Sequence, residues 1–371
     1  MTAKRWMSTV TATGALVIAL AACGSSSSSS SSSAAPAASG TSSSAATSSA
    51  AATSVPFTSI ETTAPSSYPQ PKAKHLRLAY LNPEGGNEFL GTLGNALRLE
   101  AKKLGGTYTE LDAGGDVNKQ VSQFDQLIAQ KVNGIAVFAL DPKSLAPDVA
   151  RAKKAGIHLV TIDLNFASTA ASSLGGYESQ VWQRRDEAAY DTAKEMAKLS
   201  PGGSFGTIDL IVKVPSIVFS IQRDGFWAKK FGLSVAGNSS NPTDDIAGGE
   251  KAMTQLLGQH SSIKGVMAYN DPSAIGASSA ALSAGQSGLL FAGENGGSDA
   301  LGAIKAGRET FSMKLDAPSM GKDWAWALYD LSEGVKIPGT VKSGPPVVVD
   351  KSNVGSTVSW EAQLKKEYPG S

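Results

Sequence analysis

Polar side chains follow several of the short apolar runs in this sequence, and most of them carry carboxylate or amide groups. Carboxylates accept hydrogen bonds and asparagine amides both donate and accept, so together these residues can bind a small polar molecule. Where strands and helices alternate, ligands lie beyond the carboxyl ends of the strands, which makes these positions the first candidates. They are Asn82, Asp141, Asp163, Asn270, Asp271, Glu294, Asn295 and Asp316.

Motifs for covalent or nucleotide chemistry are weak in the sequence. Gly202-Gly203-Ser204-Phe205-Gly206 matches the Gly-x-Ser-x-Gly pattern of hydrolases, but that chemistry needs the serine on a turn that follows a strand and opens a helix. Here the helical pattern comes before the serine and the strand pattern after it, so we predict a connecting loop. The first predicted strand is not followed by Gly-x-Gly-x-x-Gly, and the sequence has no P-loop motif.

The charge balance and the cysteine count exclude further classes of function. The chain of 371 residues carries 33 Lys and Arg against 32 Asp and Glu, so no charge excess indicates a nucleic acid partner. Cys23 is the single cysteine, and the histidines at 75, 158 and 260 are too scattered for a zinc site. We therefore expect neither a metal nor a cofactor.

The N-terminus has the pattern of a secretion signal. Lys4 and Arg5 form a short basic region, and the apolar stretch that follows is too short to span a bilayer as a stable helix. The junction Leu20-Ala21-Ala22-Cys23-Gly24 resembles the bacterial lipoprotein signal, in which the cysteine is diacylated and the peptide is cut just before it. We expect a signal peptide at 1–22 and lipidation of Cys23, with simple secretion as the alternative.

Residues 23–72 have the composition of a flexible tether. They are dominated by Ser, Ala, Thr and Pro, and no charged residue occurs between Trp6 and Ile60. Such a segment cannot bury enough apolar surface to offset the entropy cost of ordering, so we predict a disordered link between the anchor and the folded part. Attachment of O-linked sugars to its hydroxyl groups is left open.

From His75 onward, strand and helix patterns alternate. Strands joined by helices of this length predict parallel sheets with right-handed crossovers, and about 300 residues exceed one comfortable core. The predicted fold class is therefore α/β, with two doubly wound parallel-sheet (Rossmann-like) lobes. Predicted strands cover 75–81, 134–140, 157–162, 206–212, 264–269, 289–292 and 311–315. Predicted helices cover 89–104, 117–128, 144–155, 181–199, 218–231, 246–257, 273–284, 300–306 and 320–332.

Several motifs, in a fixed order and spacing, resemble one family. The sequence is similar to the periplasmic-binding-protein type I family, specifically to ribose-binding-like sugar receptors of ABC importers, over about 75–355. The motifs are Lys131-Val132-Asn133-Gly134-Ile135, Ala155-Gly156-Ile157 leading to Asp163, Gln222-Arg223-Asp224-Gly225-Phe226, Tyr269-Asn270-Asp271-Pro272, and Ala292-Gly293-Glu294-Asn295-Gly296.

The resemblance implies a ligand site between two lobes that are joined by a three-segment hinge. It implies an N-terminal lobe of 73–176 plus 316–344 and a C-terminal lobe of 177–315 plus 345–371. A carboxylate can accept from adjacent hydroxyls, a guanidinium can donate two bonds, and an aromatic ring can cover a C–H face of a sugar. The ligand-binding residues it implies are Asn87, Phe89, Asp163, Arg223 and Asn270, with Phe166, Trp182 and Trp227 as other candidate aromatic residues.

Three positions depart from the family pattern and bear on specificity. Leu164 stands where a second arginine is common, and Asn295 stands where aspartate is usual. Asp316 stands in a hinge segment that contains glutamine in relatives, and Asn295 and Asp316 join the candidate ligand-binding residues. The loss of one arginine and one aspartate keeps the site balanced in charge, so we expect a small neutral sugar or polyol.

The sequence therefore predicts an extracytoplasmic, lipid-anchored receptor that delivers a neutral sugar or polyol to an ABC permease in the membrane. We expect a monomer without nucleic acid partners. The alternative is a receptor that reports its ligand to a membrane signalling protein. An enzyme is a further alternative, in which Asp163 and Asp316 would form the carboxylate pair of a glycosidase. A DNA-binding repressor of this fold is not expected, because it would need an N-terminal helix-turn-helix where this chain has the pattern of a signal peptide.

Overall fold

The computed structural model of the chain describes residues 75–370. The predicted signal peptide, Cys23 and the predicted tether at 23–72 lie outside these residues. The strands are β1 (Arg77–Asn82), β2 (Thr107–Asp112), β3 (Gly134–Val137), β4 (His158–Ile162), β5 (Ser179–Trp182), β6 (Ser204–Leu210), β7 (Ser234–Asn241), β8 (Gly265–Ala268), β9 (Leu290–Asn295), β10 (Phe311–Lys314), β11 (Thr340–Lys342) and β12 (Val347–Asp350). The helices are α1 (Glu88–Lys103), α2 (Val117–Ala129), α3 (Pro142–Lys154), α4 (Arg185–Leu199), α5 (Pro215–Lys230), α6 (Ile246–Gln259), α7 (Asp271–Ser283), α8 (Ser298–Ala306), α9 (Ala317–Ser332) and α10 (Trp360–Glu367).

Two six-stranded sheets form the centres of two lobes. The first sheet has the order β11-β5-β4-β3-β1-β2 and the second has the order β12-β10-β9-β8-β6-β7. Neighbouring strands are parallel in both sheets, except that β12 runs antiparallel to β10. The predicted α/β class, with two doubly wound parallel-sheet lobes, is confirmed.

The chain passes between the two sheets three times. The passages lie between β5 and α4, between β10 and α9, and between β11 and β12. After the second passage, α9 returns to the first lobe, where it packs against α1. These three passages form the three-segment hinge that the resemblance implied.

The predicted helix at 181–199 is wrong at its start. Ser179–Trp182 is a buried strand that pairs in parallel with β4, and Arg184, in a left-handed backbone conformation with φ of 60°, separates it from α4. Four residues with mixed polarity carry too little periodicity to distinguish a short strand from the first turn of a helix. As a consequence, the predicted lobe boundary after residue 176 falls before a strand of the first sheet.

The C-terminal segment contacts both lobes, whereas the prediction placed all of 345–371 in the second one. Its strand β12 belongs to the second sheet. The ring of Trp360 in α10 instead lies 5.8 Å from the ring of Phe89 in the first lobe, and its indole nitrogen donates to the carbonyl of Leu315 over 2.8 Å. A large buried aromatic ring therefore ties the end of the chain to α1.

Side chains that cap helices lie at the edge where each lobe faces the other. In a doubly wound sheet the strands end and the following helices begin at one edge, so a polar residue after a strand often accepts from the first N–H groups of the next helix. Helix caps of this kind are Asn87, Asp116, Asp141, Asn270 and Asp316.

All four edge strands were absent from the sequence prediction: β2, β7, β11 and β12. The two longest of them, β2 and β7, consist mostly of exposed or partly buried residues and are rich in Thr, Ser and Asn, so they lack the apolar runs of the central strands. The helix-before-strand order at the Gly-x-Ser-x-Gly motif is confirmed, but the connecting turn ends before Ser204, which is the first residue of β6 rather than part of a loop. Within 75–370, no helix combines the length and the apolar character needed to cross a membrane.

Candidate functional site

A cavity of about 330 Å³ lies between the lobes, and we call it the cleft cavity. Its volume is in the range of pockets that hold small organic ligands. Each lobe supplies one wall, from the edge where strands end and helices begin. The first lobe contributes Glu84, Asn87, Phe89, Leu90, Phe138 and Leu140. The second lobe contributes Arg185, Leu210, Val214, Ile217, Asp244, Tyr269, Asn270 and Asn295.

Much of the cleft cavity is apolar. Side chains from both lobes, such as Phe89 and Leu140 on one side and Leu210 and Ile217 on the other, belong to one continuous buried cluster. Such a surface excludes water and fits the C–H groups of a ligand. The polar groups of a ligand must then be recognised by the few polar side chains that interrupt this apolar surface.

A second cavity, of about 350 Å³, adjoins the cleft cavity. Asn87, Phe89, Asp244 and Asn295 line both cavities, so these four side chains form the partition between them. Trp360, whose ring packs against Phe89, also lines the second cavity.

One polar contact at the partition joins the two lobes. The side-chain nitrogen Nδ2 of Asn87 donates to Oδ2 of Asp244 over 3.0 Å. The side-chain oxygen of Asn87 accepts from the backbone N–H groups of Phe89 and Leu90, which orients the amide at the start of α1. Helix capping therefore directs the donor of Asn87 across the cleft.

Asp244 collects hydrogen bonds from three side chains. Its Oδ1 accepts from Nδ2 of Asn270 over 2.7 Å and from the hydroxyl of Tyr269, in addition to the bond from Asn87. Burial raises the pKa of Asp244 above the ordinary value for aspartate, while the hydrogen bonds from Tyr269, Asn87 and Asn270 act to lower it. Its backbone has a φ of 56°, a region that non-glycine residues seldom occupy and that concentrates at ligand sites.

A buried guanidinium stands at the hinge side of the cleft cavity, in a group that we call the Arg185 cluster (Arg185, Asp163 and Glu294). Nη1 of Arg185 lies 2.7 Å from Oε2 of Glu294, and its Nε lies 3.7 Å from Oδ2 of Asp163. Ser220 donates to the same oxygen of Glu294, and the backbone N–H of Gln183 donates to Oδ1 of Asp163. The three charged side chains therefore come from both lobes and from the first hinge passage.

Burial shifts the protonation equilibria of the acids in this cluster. It raises the pKa of Asp163 to about 7, although the neighbouring Arg185 acts to lower it. Burial also raises the pKa of Glu294, again against Arg185, and it raises the pKa of the adjacent Asp224 well above the ordinary value. At each of these carboxyl groups, removal from water therefore raises the pKa by more than the nearby guanidinium of Arg185 lowers it.

Unpartnered polar atoms accumulate around the same wall of the cleft cavity. Among the described residues, Nε of Arg185, Oδ2 of Asp163, Oε1 of Glu294 and Oδ1 of Asn295 are buried and make no hydrogen bond. Asn295 also has a φ of 110°, far from the usual range for asparagine. Because buried polar atoms are normally paired, such a concentration beside a cavity indicates a place for a polar ligand.

A family model described as a periplasmic binding protein domain matches residues 78–336, which is most of the chain and nearly all of both lobes. The chain belongs to the periplasmic binding protein family. In this periplasmic binding protein, the described residues contain no group of three or more His, Cys, Asp or Glu side chains arranged to hold a metal ion.

Comparison with known proteins gives relatives of moderate identity. The ribose import binding protein of Bacillus subtilis is 27% identical over 69% of this chain and 82% of its own length. A xylitol-binding protein of Mycolicibacterium smegmatis is 28% identical over 53% of this chain and 55% of its own length. A crystal structure of an ABC transporter solute binding protein from Mycobacterium smegmatis with bound glycerol superimposes with a TM-score of 0.67 and 25% identity, covering 77% of this chain and 98% of that one.

The structure brings four of the predicted ligand-binding residues together. Asn87, Phe89, Asn270 and Asn295 all line the cleft cavity. Asp163 does not line it directly, but its carboxylate lies beside Arg185, which does.

Arg223 lies elsewhere in this periplasmic binding protein, contrary to the expectation from its motif. Its Nε donates to Asp186 within the second lobe, and its guanidinium lies 4.1 Å from the ring centre of Phe226. Trp227, a candidate aromatic residue, also donates to Asp186. The position of Arg223 on α5 turns its side chain toward α4 and away from the lining of the cleft cavity.

Asp316 lies in the hinge rather than in the lining of either cavity. It follows β10 at the second passage between the lobes and caps α9, where Ser319 donates to it from both its hydroxyl and its backbone N–H. Phe166 and Trp182 also lie outside the lining of the cleft cavity. Phe166 stacks on Phe219 of the other lobe, with ring centres 3.8 Å apart, so it contributes to contact between the lobes.

Sequence reasoning missed four polar residues that line the cleft cavity: Glu84, Arg185, Thr243 and Asp244. Arg185 follows β5, but that strand was interpreted as part of a helix, so its strand-end position was not recognised. Asp244 follows β7, an edge strand too polar to be predicted. A search for charged residues directly after every short buried segment, including segments of four residues, would have found Arg185.

Proposed function

We propose that this periplasmic binding protein is the extracytoplasmic solute-binding receptor of an ABC importer and holds a small neutral sugar or polyol in the cleft cavity. The observation that carries this proposal is the convergence of unpartnered buried polar atoms on a cavity whose remaining wall is apolar. A sugar or polyol has hydroxyl groups that both donate and accept, together with a face of C–H bonds. Its chemistry therefore complements both parts of the wall.

The charge of the site supports an uncharged ligand. Glu294 and Asp163 flank the guanidinium of Arg185, so its positive charge is balanced within the protein. Asp244 is acidic, and its oxygens already accept from Asn87, Asn270 and Tyr269. Among the described residues that line the cleft cavity, Arg185 is the one cation, and its charge is already balanced, whereas neutral hydroxyl groups need no cation.

The ligand contacts that we propose come from both lobes. Asn87 and Phe89 belong to the first lobe, whereas Arg185, Asn270 and Asn295 belong to the second. A ligand bound between them gains its full set of contacts only when the lobes are closed, so binding shifts the population toward closure about the three hinge passages.

The names of relatives agree with this proposal. The Bacillus subtilis relative is a ribose import binding protein, and the Mycolicibacterium smegmatis relative is a xylitol-binding protein. We infer that this chain likewise serves import through a membrane permease. We also propose that Cys23 carries the lipid that anchors the receptor on the outer face of the cell membrane, since two acyl chains give stable anchoring.

A thermal-unfolding screen tests the function. The purified chain is heated with pentoses, hexoses and polyols of four to six carbons, each beside an acidic and an amino analogue. A neutral ligand at about 100 times its dissociation constant adds about 2.7 kcal/mol of stability, which raises the unfolding temperature measurably. Val214→Trp, which fills the cleft cavity, should remove the shift, while Leu282→Trp at an exposed site should keep it.

Two results would contradict the proposal. The first is stabilisation by acidic or amino compounds alone. The second is chemical conversion of a stabilising compound during incubation with the protein, which chromatography would detect and which would indicate an enzyme.

A further inference from the structure

Arg185 lines the cleft cavity, although no motif in the sequence pointed to it. It is the first residue of α4, at the first hinge passage, and it lines the cleft cavity while only 4% of its surface is exposed. A guanidinium has five N–H donors in a fixed plane, and burial requires that most of them find acceptors. The residues around Arg185 supply few of these acceptors.

The contacts of Arg185 leave donors unused. Glu294 stands 2.7 Å from Nη1, but Oδ2 of Asp163 is 3.7 Å from Nε, which is too far for a hydrogen bond. Nε makes no hydrogen bond within the described part of the chain. An oxygen atom in the cleft cavity would complete the set, and a carbohydrate hydroxyl or ring oxygen is such an acceptor.

The carboxylates hold the guanidinium in place and also balance its charge. Glu294 is itself held by Ser220, and Asp163 is held by the backbone of Gln183, so neither acid can turn away freely. An arginine with this environment retains its directional donors but offers little net attraction to an anion.

We infer that Arg185 is the specificity-determining residue of the cleft, donating to an oxygen of an uncharged ligand, and that Glu294 neutralises its charge so that sugars bearing a carboxylate are rejected. This inference rests on the proposed function and specifies its ligand class. Glu294 is a positioning residue, because it acts on the ligand through Arg185.

The test measures binding of two matched pairs of probes, D-ribose with D-ribonate and xylitol with xylonate, by calorimetric titration of the full chain. The variants are Arg185→Lys, Arg185→Gln and Glu294→Gln, with Arg184→Lys as the control. Arg184 is the adjacent residue, pairs with Glu187 over 2.6 Å and does not line the cleft cavity.

The wild type should bind a neutral probe at least tenfold more tightly than its acid. Both Arg185 variants should lose about 30-fold or more in affinity for that neutral probe, while Arg184→Lys stays within about twofold of the wild type. In Glu294→Gln the released positive charge should reduce the preference for the neutral probe over its acid by about tenfold. If Glu294 had a purely structural role, Glu294→Gln would weaken the binding of the neutral and the acidic probe equally.

Each contrary result has a distinct meaning. Arg185→Lys with wild-type affinity, or Glu294→Gln with an unchanged ratio between neutral and acidic probes, overturns this inference and leaves the proposed function standing. Wild-type protein that binds only the acids overturns the inference and the neutral ligand class. Wild-type protein that binds neither pair overturns both this inference and the proposed sugar or polyol site. Arg185→Lys retains the cation, so it provides a folded comparison if Arg185→Gln unfolds.

Discussion

Asn87 and Asp244, which are 157 residues apart in the chain, form a hydrogen bond of 3.0 Å across the cleft. The bond joins the cap of α1 in the first lobe to the end of β7 in the second. Because Asp244 also accepts from Asn270 and Tyr269, a single carboxylate connects the polar side chains at the partition between the two cavities. Another hydrogen-bonded contact between the lobes runs from the backbone N–H and the hydroxyl of Ser298 to Glu88, which lines the second cavity.

The first prediction concerns this carboxylate. Asp244→Ala should lower the free energy of unfolding by about 1–3 kcal/mol, because it leaves the donors of the buried Asn270 and Tyr269, and of the partly buried Asn87, without their acceptor. Ser298→Ala is the matched control: it removes one hydroxyl but keeps the backbone N–H that bonds Glu88, so a smaller loss is expected. Urea denaturation measures the free energy of unfolding of both variants. An equal loss of stability in the two would contradict the central role of Asp244.

The second prediction concerns Arg223, which the family motif had suggested as a ligand contact. Arg223→Ala should lower stability, since Asp186 loses its buried cation, yet affinity for the neutral ligand should stay within about twofold of the wild type. Calorimetric titration gives the affinity and thermal unfolding gives the stability. A loss of binding comparable to that of the Arg185 variants would restore Arg223 to the ligand site.

The third prediction is a pH dependence that comes from Asp163. Burial raises the pKa of Asp163 from its ordinary 3.8 to about 7, so the folded chain binds an extra proton between these pH values and its stability falls as pH rises through that window. Asp163→Asn should flatten this part of the stability curve. Unfolding in urea at several pH values from 4 to 8 measures how stability depends on pH. Parallel curves of stability against pH for the wild type and Asp163→Asn would contradict this prediction.

The same variant also tests the Arg185 cluster. An asparagine amide has one acceptor oxygen where the carboxylate has two, and it does not balance the charge of Arg185. We expect Asp163→Asn to fold and to bind a neutral ligand at least tenfold more weakly at pH 8, where Asp163, with a pKa of about 7, is mostly ionised. If Asp163→Asn bound the neutral ligand with wild-type affinity, Asp163 would not influence the site through Arg185.

The fourth prediction concerns the anchor, which lies outside the described residues. Cys23→Ala should release the protein from the membrane fraction or leave the signal peptide uncut, because no other cysteine can carry the lipid. Cell fractionation and mass determination distinguish the two outcomes, with Ser26→Ala as a matched control in the same segment. Normal processing together with membrane retention in Cys23→Ala would contradict lipidation.

The sequence by itself determined the fold class and many of the helix starts. Continuous apolar runs such as Gly134–Val137 and caps such as Asp116 depend on neighbouring residues alone, so the local pattern predicts them well. The same reasoning failed at the four edge strands β2, β7, β11 and β12, which bury few of their residues, and at β5, whose four residues mix polar and apolar side chains.

Only the tertiary structure decided which polar residues meet. The sequence pattern singled out Arg223 and missed Arg185, but α4 places Arg185 against Glu294 at the cleft, while α5 turns Arg223 toward Asp186. Likewise, the sequence cannot show that Asn87 faces Asp244, because their contact exists only after two separate sheets have formed and the hinge has brought them together. A binding site made from both lobes depends on distances that no local pattern contains.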